Sequence, residues 1–111
     1  MARLTTSMLV AALTRLAQAA GGFAAVLAKG DPTAGAMLVI LAERGRKSAV
    51  LERLLQPDGG YLWQDIGQSA TDEPQLNALI ERRRKYDPDL WVLELDIPIA
   101  ERFAAEMNAV T

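Results

Sequence analysis

Glu94 and Asp96 stand two apart at the end of an apolar run, so on a strand both carboxylates project from one face. Paired carboxylates can hold a divalent cation or share a proton. Pro88-Asp89 lies just upstream, and a proline, an aspartate and then Glu-x-Lys on a strand would suggest a metal-dependent nuclease. Here the spacing is too short, and Asp96 occupies the place of the lysine. The favoured reading makes Glu94 a solvated strand-end carboxylate and Asp96 the cap of the next helix. Neither a metal nor a cofactor is expected.

The stretch Gly30-Asp31-Pro32-Thr33-Ala34-Gly35 is flanked by glycines, which invites a phosphate-loop reading. Such a loop needs a Lys-Ser/Thr ending and a helix directly after it. This one carries an acidic Asp31 and leads into apolar residues, so a hairpin turn is expected. Seven of the twelve basic residues fall in two clusters: Arg44, Arg46 and Lys47, then Arg82, Arg83, Arg84 and Lys85. They are the candidate contacts for an anion or nucleic acid. Glu43 and Glu81 neighbour them, and four successive charges on a helix point in four directions. A solvated surface with local ion pairs is the competing reading. Tyr61, Trp63 and Trp91 form the third constellation. As large aromatics on strands they belong either to the core or to a protein interface, where such residues are enriched.

The remaining chemistry is narrow. The chain holds no His and no Cys, which excludes disulfides, thiol nucleophiles, imidazole-based triads and zinc sites of Cys/His type. With no recognisable catalytic motif, an enzymatic reading is disfavoured. Its 111 residues suit one domain spanning 1–111, half of them hydrophobic and 23% charged. A net charge of −2 gives no global attraction to nucleic acid. Residues 1–22 superficially resemble a targeting signal, but Thr14 and Arg15 interrupt the apolar run. Leu9, Leu13, Leu16 and Ala20 recur at helical spacing instead, and Gly21-Gly22 stops the helix. A cytoplasmic protein with no membrane span is expected.

These residues must be positioned by short elements. Residues 23–28 suit a strand. Residues 36–42 are apolar without alternation, so a central strand buried on both faces is expected. A charged turn around Gly45 follows over 43–47. Residues 48–56 fit a helix face or a strand. The strand is preferred because Pro57-Asp58-Gly59-Gly60 and the strand-like 61–64 complete a hairpin. A polar linker over 68–71 precedes a helix capped by Thr71 or Asp72, with Leu76, Leu79 and Ile80 as its buried stripe, which Tyr86 would extend. Asp87-Pro88 ends it. Residues 90–95 alternate as a strand, with Trp91, Leu93 and Leu95 on one face. A last helix, with Pro98 in its first turn, carries Ile99, Phe103, Met107 and Val110 on one side. The order helix, four strands, helix, strand, helix argues an α+β fold with a mostly antiparallel sheet of about five strands and three helices.

Several stretches together resemble a small bacterial family catalogued as domain of unknown function 1491. They are Phe23-Ala24-Ala25-Val26-Leu27, Gly30-Asp31-Pro32, Ala34-Gly35-Ala36, and Asp87-Pro88-Asp89-Leu90-Trp91-Val92 with Glu94. The resemblance runs from the first helix to the last strand, and the helix after Asp96 lies beyond it. It implies a compact single-domain bacterial protein and supplies no catalytic or binding residues.

The functional expectation is a non-enzymatic domain that acts through protein contacts, self-association included, with Tyr61, Trp63 and Trp91 as interface candidates. The alternative is a nucleic-acid or phosphate-ligand module using the two basic clusters. A carboxylate–metal hydrolase built on Asp89, Glu94 and Asp96 has the least support.

Overall fold

A computed structural model describes residues 5–67 and 72–110 of the chain. The elements in order are α1 (Thr6–Ala19), β1 (Phe23–Ala28), β2 (Met37–Glu43), β3 (Arg46–Leu55), β4 (Tyr61–Asp65), α2 (Glu73–Tyr86), β5 (Trp91–Asp96) and α3 (Ala100–Val110). This is the expected α+β arrangement, and the ambiguous 48–56 segment is a strand. The linker expected over 68–71 and its candidate cap Thr71 lie outside the described residues.

The five strands form one sheet in the order β1-β5-β2-β3-β4. β2, apolar at every position from Met37 to Ala42, lies at its centre and is buried on both faces. Its partner β3 follows through a two-residue turn, because Glu43 pairs with Arg46. Arg44 (φ 51°) and Gly45 (φ 82°) both take positive φ there, the conformation that matches the twist of a tight hairpin. The turn is therefore shorter than the charged stretch suggests, and Arg46 and Lys47 belong to the strand.

One expectation is corrected. The glycine-flanked loop after β1 does not close a hairpin, because β5 is inserted between β1 and β2, antiparallel to the first and parallel to the second. A parallel neighbour needs a crossover. The chain supplies it by passing through β3 and β4 and then along α2, which lies across one face of the sheet.

The two faces are filled differently. α1 and α3 cover one, where Leu9, Leu13, Ala17, Phe103 and Met107 meet Val39, Leu41, Leu51, Leu93 and Leu95 in the larger core. α2 covers the other, where Leu76 meets Leu38, Ile40, Val50, Leu90 and Val92. The α2 stripe does not reach Tyr86, which is 80% exposed. In α3 the buried stripe is Ala100, Phe103 and Met107, and the side chain of the expected Val110 lies outside the described residues. Ile99 precedes the helix and is exposed, because the helix begins two residues after Pro98. No helix among the described residues is long and apolar enough to cross a membrane.

Candidate functional site

The paired carboxylates are committed to the fold. Glu94 accepts a hydrogen bond from Lys47 Nζ, which also lies 3.7 Å from a Glu73 oxygen on α2. This bond and the two carboxylate charges hold the Lys47 ammonium above the ordinary lysine range, against the opposing pull of desolvation. Asp96 does not cap α3. Its two oxygens accept from the backbone N–H groups of Arg44 (2.9 Å) and Gly45 (2.7 Å), pinning the β2–β3 turn. The cap falls to Glu43, whose Oε1 accepts from Ala100 N at 2.7 Å. Three residues separate Asp96 from the helix start, whereas the end of β2 lies beside it. Asp89 sits in the turn at the opposite end of β5 from Asp96. Among the described residues no three His, Cys, Asp or Glu side chains converge as a metal site.

The basic clusters are divided along α2. Lys47 is engaged near its start, and Arg83 pairs with Glu52 of β3 near its end. Arg84 leans toward the carbonyls of Lys29 and Pro88 at 3.4 and 3.3 Å. Arg44, Arg46, Arg82 and Lys85 are exposed. An open cavity of about 600 Å³ at the α2 N-terminus is lined by Lys47 and Ser48, but also by Asp65, Asp72 and Glu73. Its mixed charge does not resemble a phosphate cradle.

The two stretches that carry the family resemblance meet in space. A Cβ on Gly30 would lie 2.0 Å from the Asp89 carbonyl oxygen, and one on Gly35 would lie 2.4 Å from it. Both glycines are needed for this approach, whatever their backbone angles. Trp91 Nε1 donates to the Asp31 carbonyl at 2.7 Å, and Asp31 N donates to Asp89 O at 3.1 Å. The α1 start is tied to the same loop: Thr6 Oγ1 donates to Gly35 O at 2.9 Å and Ser7 N to Pro32 O at 2.8 Å. Fold assembly accounts for these motifs.

The aromatic candidates divide as well. Trp63 (6% exposed) and Trp91 (4% exposed) are core residues. Tyr61 is half-buried with the Arg53 guanidinium 3.7 Å above its ring centre. Exposed apolar side chains occur at Leu55 and Leu62 on β3 and β4, and three more lie together on β1. Phe23 is 58% exposed, Val26 50% and Leu27 52%, all on a strand at the edge of the sheet. Sequence reasoning missed these three as surface. The available signal was an uncharged first strand, FAAVLA, and its meaning depended on knowing that it would be an edge.

Comparison with known proteins agrees with this architecture. A family model described as protein of unknown function (DUF1491) matches residues 4–105 and so extends into α3, past the limit of the resemblance read from the sequence. A crystal structure of a DUF1491 family protein from Caulobacter crescentus is 38% identical. It covers 91% of this chain and 94% of its own, with a TM-score of 0.80. An NMR structure of a DUF1491 family protein from the same organism is 39% identical over 87% and 89% of the two chains, with a TM-score of 0.74. A solution structure of a protein from A. tumefaciens is 35% identical over 86% of each chain, with a TM-score of 0.73. No curated protein matches the chain.

Proposed function

The chain belongs to the DUF1491 family of proteins of unknown function, and from that premise we propose that it acts through protein–protein contacts, beginning with its own self-association. The observation that carries this reading is the outer edge of β1. Its six residues include no charge and no proline, and three large apolar side chains on it are half exposed or more. An edge strand presents unpaired N–H and C=O groups, and soluble proteins usually blunt such an edge with charge, proline or a covering segment. The bulge at Leu27 is the one blunting device that β1 carries in its own sequence, which has no charge and no proline. Pairing with another strand would satisfy its backbone and cover its apolar side chains together.

The nucleic-acid or phosphate-ligand alternative has less support. Lys47 and Arg83 are engaged by carboxylates, and acidic residues line the cavity beside Lys47. Sedimentation velocity over a range of concentrations tests the proposal. The wild type is expected to move from one chain toward two as concentration rises. Val26→Lys, which places a charge on the edge, is expected to remain a single chain with an unchanged circular dichroism spectrum. A wild type that stays monomeric throughout, or a Val26→Lys variant that associates equally well, overturns it.

A further inference from the structure

We propose that α2 is a lid, which lifts off the sheet as a unit while the rest of the fold stays intact, and which ion pairs to β3 latch shut. It lies over one face of the sheet and works independently of any association through the β1 edge. Six of its fourteen residues are charged, and Leu76 alone is fully buried, with Leu79 and Ile80 partly buried beside it. α1 buries Leu9, Leu13 and Ala17, and the shorter α3 buries Ala100, Phe103 and Met107. Helices in proteins owe most of their stability to packing an apolar face. A segment with few buried apolar contacts opens at a lower free energy than the whole fold. Of the three helices, α2 is the one least held by apolar contact.

Charge supplies the hold instead, at both ends and from one strand. Glu73, in the first turn, lies 3.7 Å from Lys47 Nζ, and Arg83, in the last turn, pairs with Glu52. Lys47 and Glu52 both belong to β3. The Arg84 guanidinium adds a long contact of 3.4 Å to the Lys29 carbonyl. Glu73 is exposed and Arg83 half-buried, so water and salt reach both pairs. Ion pairs in contact with water each contribute modestly and weaken as ionic strength rises. They make a latch that can be released, which a buried apolar stripe would not.

The rest of the fold does not depend on the lid. β2 is bonded to β3 and β5 through its own backbone, and the larger core lies on the far face beneath α1 and α3. Lifting α2 uncovers Leu38, Ile40, Val50 and Val92, which it now helps to bury. The cavity of about 600 Å³ already opens between the helix start and β3, lined by Glu73 and Leu76 of the first and by Ser48 and Val50 of the second. The lid is not fully seated at that end.

Native-state hydrogen exchange of the full chain in low denaturant tests this with two variants. Amides 77–83 are expected to share one opening step that needs less denaturant than the opening of α1 and β2. Ile97→Val trims the far-face core and should speed exchange in α1 and β2 about two- to tenfold while leaving α2 unchanged. Glu52→Gln cuts the latch and should speed exchange in α2 about three- to tenfold. Raising NaCl from about 0.05 to about 0.5 M should speed α2 in the wild type, and much less in Glu52→Gln. The salt series on the wild type does not depend on any variant folding, and circular dichroism checks that each variant does. If Ile97→Val speeds α2 as much as β2, α2 is released only when the whole chain unfolds, and the lid is overturned. Exchange in α2 that neither Glu52→Gln nor salt moves overturns the latch.

Discussion

The two edges of the sheet end in opposite ways. β4 closes one side with Tyr61-Leu62-Trp63-Gln64-Asp65. Gln64 and Asp65 are exposed beside Leu62 (46% exposed), Trp63 is turned into the core, and Arg53 lies over Tyr61. β1 closes the other with Phe23-Ala24-Ala25-Val26-Leu27-Ala28 and has no polar side chain. Both strands belong to one sheet and meet the same solvent, so solubility alone does not explain the difference. Charge is plentiful elsewhere: Lys47, Glu73 and Glu94 fasten the α2 N-terminus, and Arg83 and Glu52 fasten its other end. A bare edge in a chain so well supplied with charge is the feature that a partner would explain.

The comparison can be broken first on the β4 side. α3 packs against β4, and Phe103 is its largest buried side chain. Phe103→Ala should cost about 3–5 kcal/mol, most of the stability of a small domain, and show as a large fall in melting temperature. Glu106→Ala, on the exposed side of the same helix, should melt like the wild type. Next comes the loop through which β1 leaves the sheet. Gly30→Ala forces a methyl group into the Asp89 carbonyl and should cost about 1–3 kcal/mol in chemical denaturation. An unchanged midpoint would mean that the loop relaxes freely.

A smaller effect is expected at the ion pair over β5, the strand next to β1. Glu94→Gln should cost about 1–2 kcal/mol at neutral pH, between the values for exposed and buried charged hydrogen bonds. Its pH dependence has a definite sign. Folding raises the pKa of Lys47 above its ordinary value of 10.5, so the stabilisation is complete below that pH and is lost as pH rises through the folded value. The gap between wild type and Glu94→Gln should therefore narrow in alkaline denaturation series and stay constant from pH 7 to about 9. The smallest effect belongs to β1 itself. Val26→Lys should change the stability of the monomer by about 0.5 kcal/mol or less, as for other exposed sites, while abolishing association.

Local pattern made much of the fold legible. The alternation of Trp91, Leu93 and Leu95 identified β5 and its core face, and the unbroken Met37–Ala42 run identified the central strand. Of the two N-cap candidates of α2, Asp72 accepts from Gln75 N, while Thr71 lies outside the described residues. What escaped was non-local. No local period says that β5 enters between β1 and β2, and that insertion makes β1 an edge. Asp96 serves a turn 51 and 52 residues earlier, and Glu94 meets a lysine 47 positions away. The two tryptophans read as core or interface until the topology set them beneath α1 and α3. Phe23, Val26 and Leu27 read only as part of a strand, because an apolar run reads alike at the centre of a sheet and at its rim.

Backbone amide hydrogen exchange, followed residue by residue at low and high protein concentration, tests the central claim most directly. Association through β1 predicts that the outward-facing amides of residues 23–28 gain protection as concentration rises, while those of residues 61–65 on the opposite edge stay as they were. Protection on β1 that is independent of concentration, or a gain that appears on β4 instead, would contradict the account.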